Sequence, residues 1–103
     1  MITFSEEEAD GFLRLCFPRT YQPKEYLCIQ GDMSDEIFFI NSGITRSIIV
    51  DHSGEEHTIH FALENQFISE YSSFMLKTPA SNSIQAIEKT EVVVMPRQAI
   101  EWG

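Results

Sequence analysis

The chain has 103 residues, 43% of them hydrophobic and 12% aromatic, with sixteen acids, seven bases and a net charge of −9 at pH 7. That length holds one domain with a modest core, and the apolar content argues against a disordered segment. The acidic balance argues against a direct nucleic-acid-binding surface, because DNA affinity rests on Lys and Arg neutralising phosphates.

The N-terminus carries a helix-start signal. Ser5-Glu6-Glu7-Glu8 forms a capping box, with Phe4 and Ala9 as a hydrophobic staple. Ala9, Phe12, Leu13 and Cys16 recur at helical spacing, so a helix is expected over about 6–16, weakened by Gly11 and ended by Pro18. From Arg19 the pattern changes to short strands, expected at 19–21, 25–30, 36–41, 44–50, 56–62, 66–68, 81–87 and 91–95. Turn residues separate them: Pro23-Lys24, Gly31-Asp32, Ser42-Gly43, Asp51-His52-Ser53-Gly54 and Glu64-Asn65. About eight short strands at this spacing predict a sandwich, jelly roll or small barrel. Asp51-His52-Ser53-Gly54 predicts a hairpin with Gly54 left-handed.

Between the sixth and seventh strands Phe67, Tyr71, Phe74 and Met75 lie at helical spacing, which predicts one short helix. Ser69 is expected to cap its first turn, with Glu70 just inside the positive end. Pro79 marks a loop before the extended pattern resumes at Ser81, and Pro96 sits at the start of a last helix.

Few residues point to catalysis or metals. Cys16 and Cys28 stand outside any CxxC spacing and are expected to be buried, reduced thiols. His57 and His60 invite a cupin-like metal site, but residues three apart point to opposite faces of a regular strand, so no metal is expected. No serine–histidine–acid arrangement can be argued, and no enzyme activity is expected. Phe38, Phe39, Phe61, Phe67, Tyr71 and Phe74 are expected in the core, since they lack the basic neighbours of a stacking platform. No signal peptide or membrane span is visible, which makes the cytoplasm the expected location.

The stretch Phe67-Ile68-Ser69-Glu70-Tyr71, followed by Phe74 and by Ala80-Ser81-Asn82, resembles the phosphate-binding cassette of cyclic nucleotide-binding domains. The resemblance is strongest to the sensory half of Crp/Fnr-type transcription regulators. Gln30-Gly31-Asp32, the run Asp35-Glu36-Ile37-Phe38-Phe39-Ile40 and Ser42-Gly43 are similar to the two-glycine frame of that family, and the likeness covers roughly 12–96. In the family a glutamate holds the ribose hydroxyl, an arginine clamps the cyclic phosphate, and a glycine and helix N-terminus bring backbone amides to it. Matched without gaps, Ser69 falls on the glycine, Glu70 on the glutamate and Ala80 on the arginine. The clamping charge is therefore replaced by a methyl group.

The resemblance implies a mainly β fold: a double-stranded β-helix or jelly-roll barrel over about 19–96, in a single domain spanning 1–103. An N-terminal helix, a short cassette helix and the start of a C-terminal helix would flank it. It implies an effector domain of a Crp/Fnr-like regulator, homodimeric at full length, with DNA reached only through a helix-turn-helix domain outside this sequence. An unidentified small-molecule effector is the expected partner. No cofactor is expected, and cyclic AMP is not expected to bind in the usual way. A four-cysteine iron–sulfur sensor is excluded by the two cysteines.

Candidate ligand-facing residues are Ile59, Phe67, Ser69, Glu70, Tyr71, Ala80, Ser81 and Asn82, with Arg46 and Lys77 as cations that would meet an anion. Each has a plainer reading. Glu70 would serve the helix dipole, Arg46 and Lys77 would be solvated surface cations, and Tyr71, Met75 or Ile59 would fill the pocket. The competing function is a ligand-free dimerisation or interaction module with a vestigial cassette.

Overall fold

The structure, a computed structural model, describes residues 14–100. The helix expected over 6–16, with its capping box and staple, lies outside the described residues except that Arg14 and Leu15 are helical. Eight strands follow: β1 (Phe17–Tyr21), β2 (Tyr26–Cys28), β3 (Glu36–Ser42), β4 (Thr45–Val50), β5 (Glu56–Ala62), β6 (Phe67–Ile68), β7 (Ser83–Ala86) and β8 (Thr90–Pro96). The cassette helix Tyr71–Leu76 sits between β6 and β7, and a last helix, Arg97–Ile100, comes directly after β8.

The strands form two antiparallel sheets in the orders β1-β8-β3-β6 and β2-β7-β4-β5. This is the expected mainly β, jelly-roll architecture, with two facing sheets not closed into a barrel by strand pairing. Alternation selects the inner faces. Phe38, Ile40, Val92 and Val94 of one sheet meet Cys28, Ala62, Ile84 and Ala86 of the other, with Tyr21, Ile68 and Ala80 completing the core. Pro18 is tolerated within β1 because that strand is an edge, paired only to β8.

Two turns depend on glycine. Gly54 has φ +87 and closes the β4–β5 hairpin, where its N–H bonds the Asp51 carbonyl at 3.0 Å. Gly43, at φ +110 between β3 and β4, lies so close to β8 that a Cβ there would fall 2.6 Å from Thr90 Cα and 2.8 Å from the Lys89 carbonyl oxygen.

Three expectations change. Phe38 and Phe74 are buried, but Phe61, Phe67 and Tyr71 are about half exposed. Phe61 pairs with Arg46 on the outer face of its sheet, and Phe67 pairs with Phe39, next to the inward Phe38, so strand parity turns both away from the core. Cys28 is buried, whereas Cys16 is only partly so. The parity argument for His57 and His60 also fails. Ser47 pairs with His60 and Ile48 with Thr58, so Ile59 is an extra residue in β5. His57 pairs with Ile49, two residues from Ser47, which puts both imidazoles on the same face by register.

Candidate functional site

The cassette is built where β6 ends. The Ser69 hydroxyl donates to the Glu36 carbonyl at 2.9 Å, tying the cassette to β3. That bond takes Ser69 away from the capping role expected of it. Glu70 is the N-cap instead, and its side chain accepts from the first turn of the helix.

One carboxylate organises the whole segment. Glu70 Oε1 accepts from the Ser72 hydroxyl at 2.6 Å and the Ser72 N–H at 3.3 Å. Oε2 accepts from the Ser73 N–H at 2.9 Å and, across the loop, from the Ser81 N–H at 3.3 Å. Glu70 is only 5% exposed. Burial pushes its pKa up, but the Ser72 hydroxyl and the three backbone donors outweigh burial and hold it below the usual carboxylate range. The cassette therefore contains a buried anion satisfied by its own amides.

The rest of the helix is tied to the β3 approach and to the last helix. Ser73 Oγ accepts from the Ser34 N–H at 2.9 Å. Lys77, left-handed at φ +56, closes the helix through its N–H to the Ser73 carbonyl. The Arg97 guanidinium stacks 4.4 Å over the buried Phe74 ring, donates to the Phe74 carbonyl, and lies 3.3 Å from Asp35 Oδ1. The first residue of the last helix thus holds the cassette helix directly. Sequence reasoning missed this joint, because nothing local links Arg97 to residues more than twenty positions earlier.

Residues 18–102 match the cyclic nucleotide-binding domain family. The chain belongs to that family.

Solved structures agree with it. The catabolite activator protein of Thermus thermophilus has a TM-score of 0.79 at 25% identity, matching 93% of this chain and 45% of its own length. The sensor domain of the transcriptional regulator DNR from Pseudomonas aeruginosa has a TM-score of 0.81 at 17% identity, over 92% of this chain and 63% of its own. The regulatory subunit of a cAMP-independent protein kinase A from Trypanosoma brucei has a TM-score of 0.80 at 14% identity, over 92% and 35% respectively. The last two likenesses are of fold. The chain spans under half the length of the catabolite activator protein, and no curated protein sequence matches it.

In this cyclic nucleotide-binding domain the expected site residues are only partly gathered. Ser69, Glu70 and Ser81 converge on the helix N-terminus, and Asn82 lies beside them, with its Oδ1 3.4 Å from the Ser81 hydroxyl. Ala80 is held by backbone bonds to Gly31 and Asp32, and its methyl group, 4% exposed, belongs to the hydrophobic core. Arg46 pairs with Gln85 by register, on the face opposite Thr45 and Ser47, and so points away from the interior. Its guanidinium bonds Gln85 Oε1 at 2.9 and 3.1 Å and Thr58 Oγ1 at 3.2 Å, with Glu56 at 3.8 Å. Lys77 is exposed on the cassette loop.

Ile59, Phe67, Tyr71 and Met75 are half exposed or more, so none of them fills an interior pocket. Two surface cavities, of about 260 and 420 Å³, are lined around Cys28, Ser34 and Pro96 and around Ile44, Leu63 and Glu88. Neither is lined by an expected ligand residue. Among the described residues no helix is long and apolar enough to cross a membrane.

Proposed function

We propose that this chain is the single effector domain of a Crp/Fnr-like transcription regulator whose cassette no longer takes a cyclic phosphate. The observation that carries the reading is the Glu70 carboxylate. It occupies the Ser72, Ser73 and Ser81 amides that an anionic ligand would need, and among the described residues no cation bonds it where the family's arginine is replaced by Ala80. Bringing a phosphate beside that buried carboxylate costs several kcal/mol of desolvation and adds like-charge repulsion.

In the proposed protein the domain is non-catalytic and cytoplasmic, responds to a small molecule that is not a cyclic nucleotide, and acts on DNA in a full-length homodimer through a reader domain outside this sequence. The joint of Arg97 with Phe74 and Asp35 supports a mechanism in which cassette packing biases the following helix. A second reading, an interaction module without ligand, is favoured by the exposed apolar side chains Phe61, Phe67, Tyr71, Met75 and Leu76.

Calorimetry with cyclic AMP and cyclic GMP tests the proposal. The unmodified chain is expected to show no saturable binding, and Ala80→Arg, checked for native strand content by circular dichroism, is expected to gain it. Micromolar binding by the unmodified chain would overturn the reading.

A further inference from the structure

We propose that the cavity of about 260 Å³ beside β2 and the end of β8 is the effector site, and that it takes a small organic cation with an apolar body. The inference rests on the reading above, that the effector is a small molecule other than a cyclic nucleotide. It moves the site away from the cassette amides.

The position of the cavity carries it. Met33, Ser34, Asp35 and Glu36, on the loop into β3 and at its start, are among its lining residues. This segment is tied to both the cassette and the last helix. The Gly31 N–H donates to the Ala80 carbonyl and the Ala80 N–H to the Asp32 carbonyl, both at 2.8 Å. The Ser34 N–H reaches Ser73 Oγ in the cassette helix, and the Glu36 carbonyl accepts from the Ser69 hydroxyl. The Arg97 N–H donates to the Asp35 carbonyl at 2.8 Å, and its guanidinium lies 3.3 Å from Asp35 Oδ1. A molecule in the cavity therefore touches residues that bond both elements, with no relay through the core. The cavity around Ile44, Leu63 and Glu88 is lined by none of these residues.

The lining sets the ligand class. The volume lies just under the roughly 300–1,000 Å³ of drug-sized ligand sites, which limits the occupant to a small molecule. Leu27, Met33 and Pro96 offer apolar surface to its body, as they would to the stem of a lysine. Asp35 and Glu36 would repel an anion. Glu36 gives both carboxylate oxygens to Arg19, at 3.1 and 3.3 Å. Asp35 is the more open of the two, with its side chain 69% exposed and Oδ1 alone bonding Arg97. Burial pushes the Cys28 thiol up, so the sulfur in the lining stays protonated and offers no thiolate to a metal. A bound cation competes with the Arg97 guanidinium for Asp35 and so biases the last helix.

The test titrates benzylammonium chloride into the unmodified chain and follows amide and arginine Nε–H NMR signals. Saturable shifts are expected at 27–36 and at the Arg97 Nε–H. Benzyl alcohol, similar in shape but uncharged, is expected to bind at least about tenfold more weakly, and benzoate not at all. Asp35→Asn is expected to weaken benzylammonium binding by at least about tenfold. Met33→Lys, which brings a cation to the cavity, is expected to do the same, and Glu64→Gln, at the other cavity, to change nothing. Asp35 and Met33 are exposed, so both variants are expected to fold, and retained amide dispersion checks this. Absence of saturable shifts at 27–36, equal affinity for benzyl alcohol, or unchanged affinity in either variant overturns the proposal. Those outcomes leave the cyclic nucleotide calorimetry standing, whereas micromolar cyclic AMP binding there removes the reading on which this site rests.

Discussion

Replacing Glu70 removes the acceptor on which the cassette closes. Glu70→Ala leaves the Ser72, Ser73 and Ser81 N–H groups without their carboxylate, two of them in the first turn of a six-residue helix. Loss of an N-cap costs about 0.5–2 kcal/mol. The Ser73 bond at 2.9 Å and the Ser72 hydroxyl bond at 2.6 Å are charge-assisted, a class worth about 1.5–3 kcal/mol each when buried, though such terms do not add. We expect a loss of about 2–3 kcal/mol for Glu70→Ala and about 1–2 kcal/mol for Glu70→Gln, which keeps one acceptor oxygen.

The pH dependence has a definite sign. Burial alone would raise the Glu70 pKa, but the donors depress it. A carboxyl depressed in the folded state contributes stability that is fully present above the ordinary glutamate pKa and is lost as pH falls through the folded value. Urea unfolding followed by far-ultraviolet circular dichroism should therefore show a gap between the unmodified chain and Glu70→Gln at neutral pH that narrows in acid. Equal midpoints at neutral pH, or a gap that persists when both are acidified, would refute the reasoning.

Two further predictions concern the scaffold. Gly43→Ala should cost about 2–5 kcal/mol, from roughly 1–2 for a left-handed alanine and the rest from overlap with the β8 backbone. Gly31→Ala, also at positive φ but with nothing within 4 Å, should show the first term alone, and equal unfolding midpoints for the two variants would rule out the steric account. Thr45 is wholly buried and its hydroxyl has no hydrogen-bond partner among the described residues. Thr45→Val should raise stability by about 1 kcal/mol, and a lower thermal midpoint would show that the hydroxyl is satisfied in solution.

By itself the sequence determined where the strands run and which family the chain resembles. Alternating apolar residues between Gly, Pro and Asn or Asp breakers placed all eight strands within a few residues, because pleat and turn chemistry are local. Phe67 to Asn82 showed the cassette, and Ala80 showed its missing charge, because both are matters of residue type. The tertiary structure decided what depends on a second strand. The β3 carbonyl of Glu36 took Ser69, which made Glu70 the cap. An extra residue at Ile59 reversed the parity of His60 relative to His57, and pairing with Gln85 turned Arg46 outward. Arg97 found Phe74 and Asp35 across the fold. In each case the residue's local pattern allows two faces or two partners with similar energies, and only the register and packing of distant segments select between them.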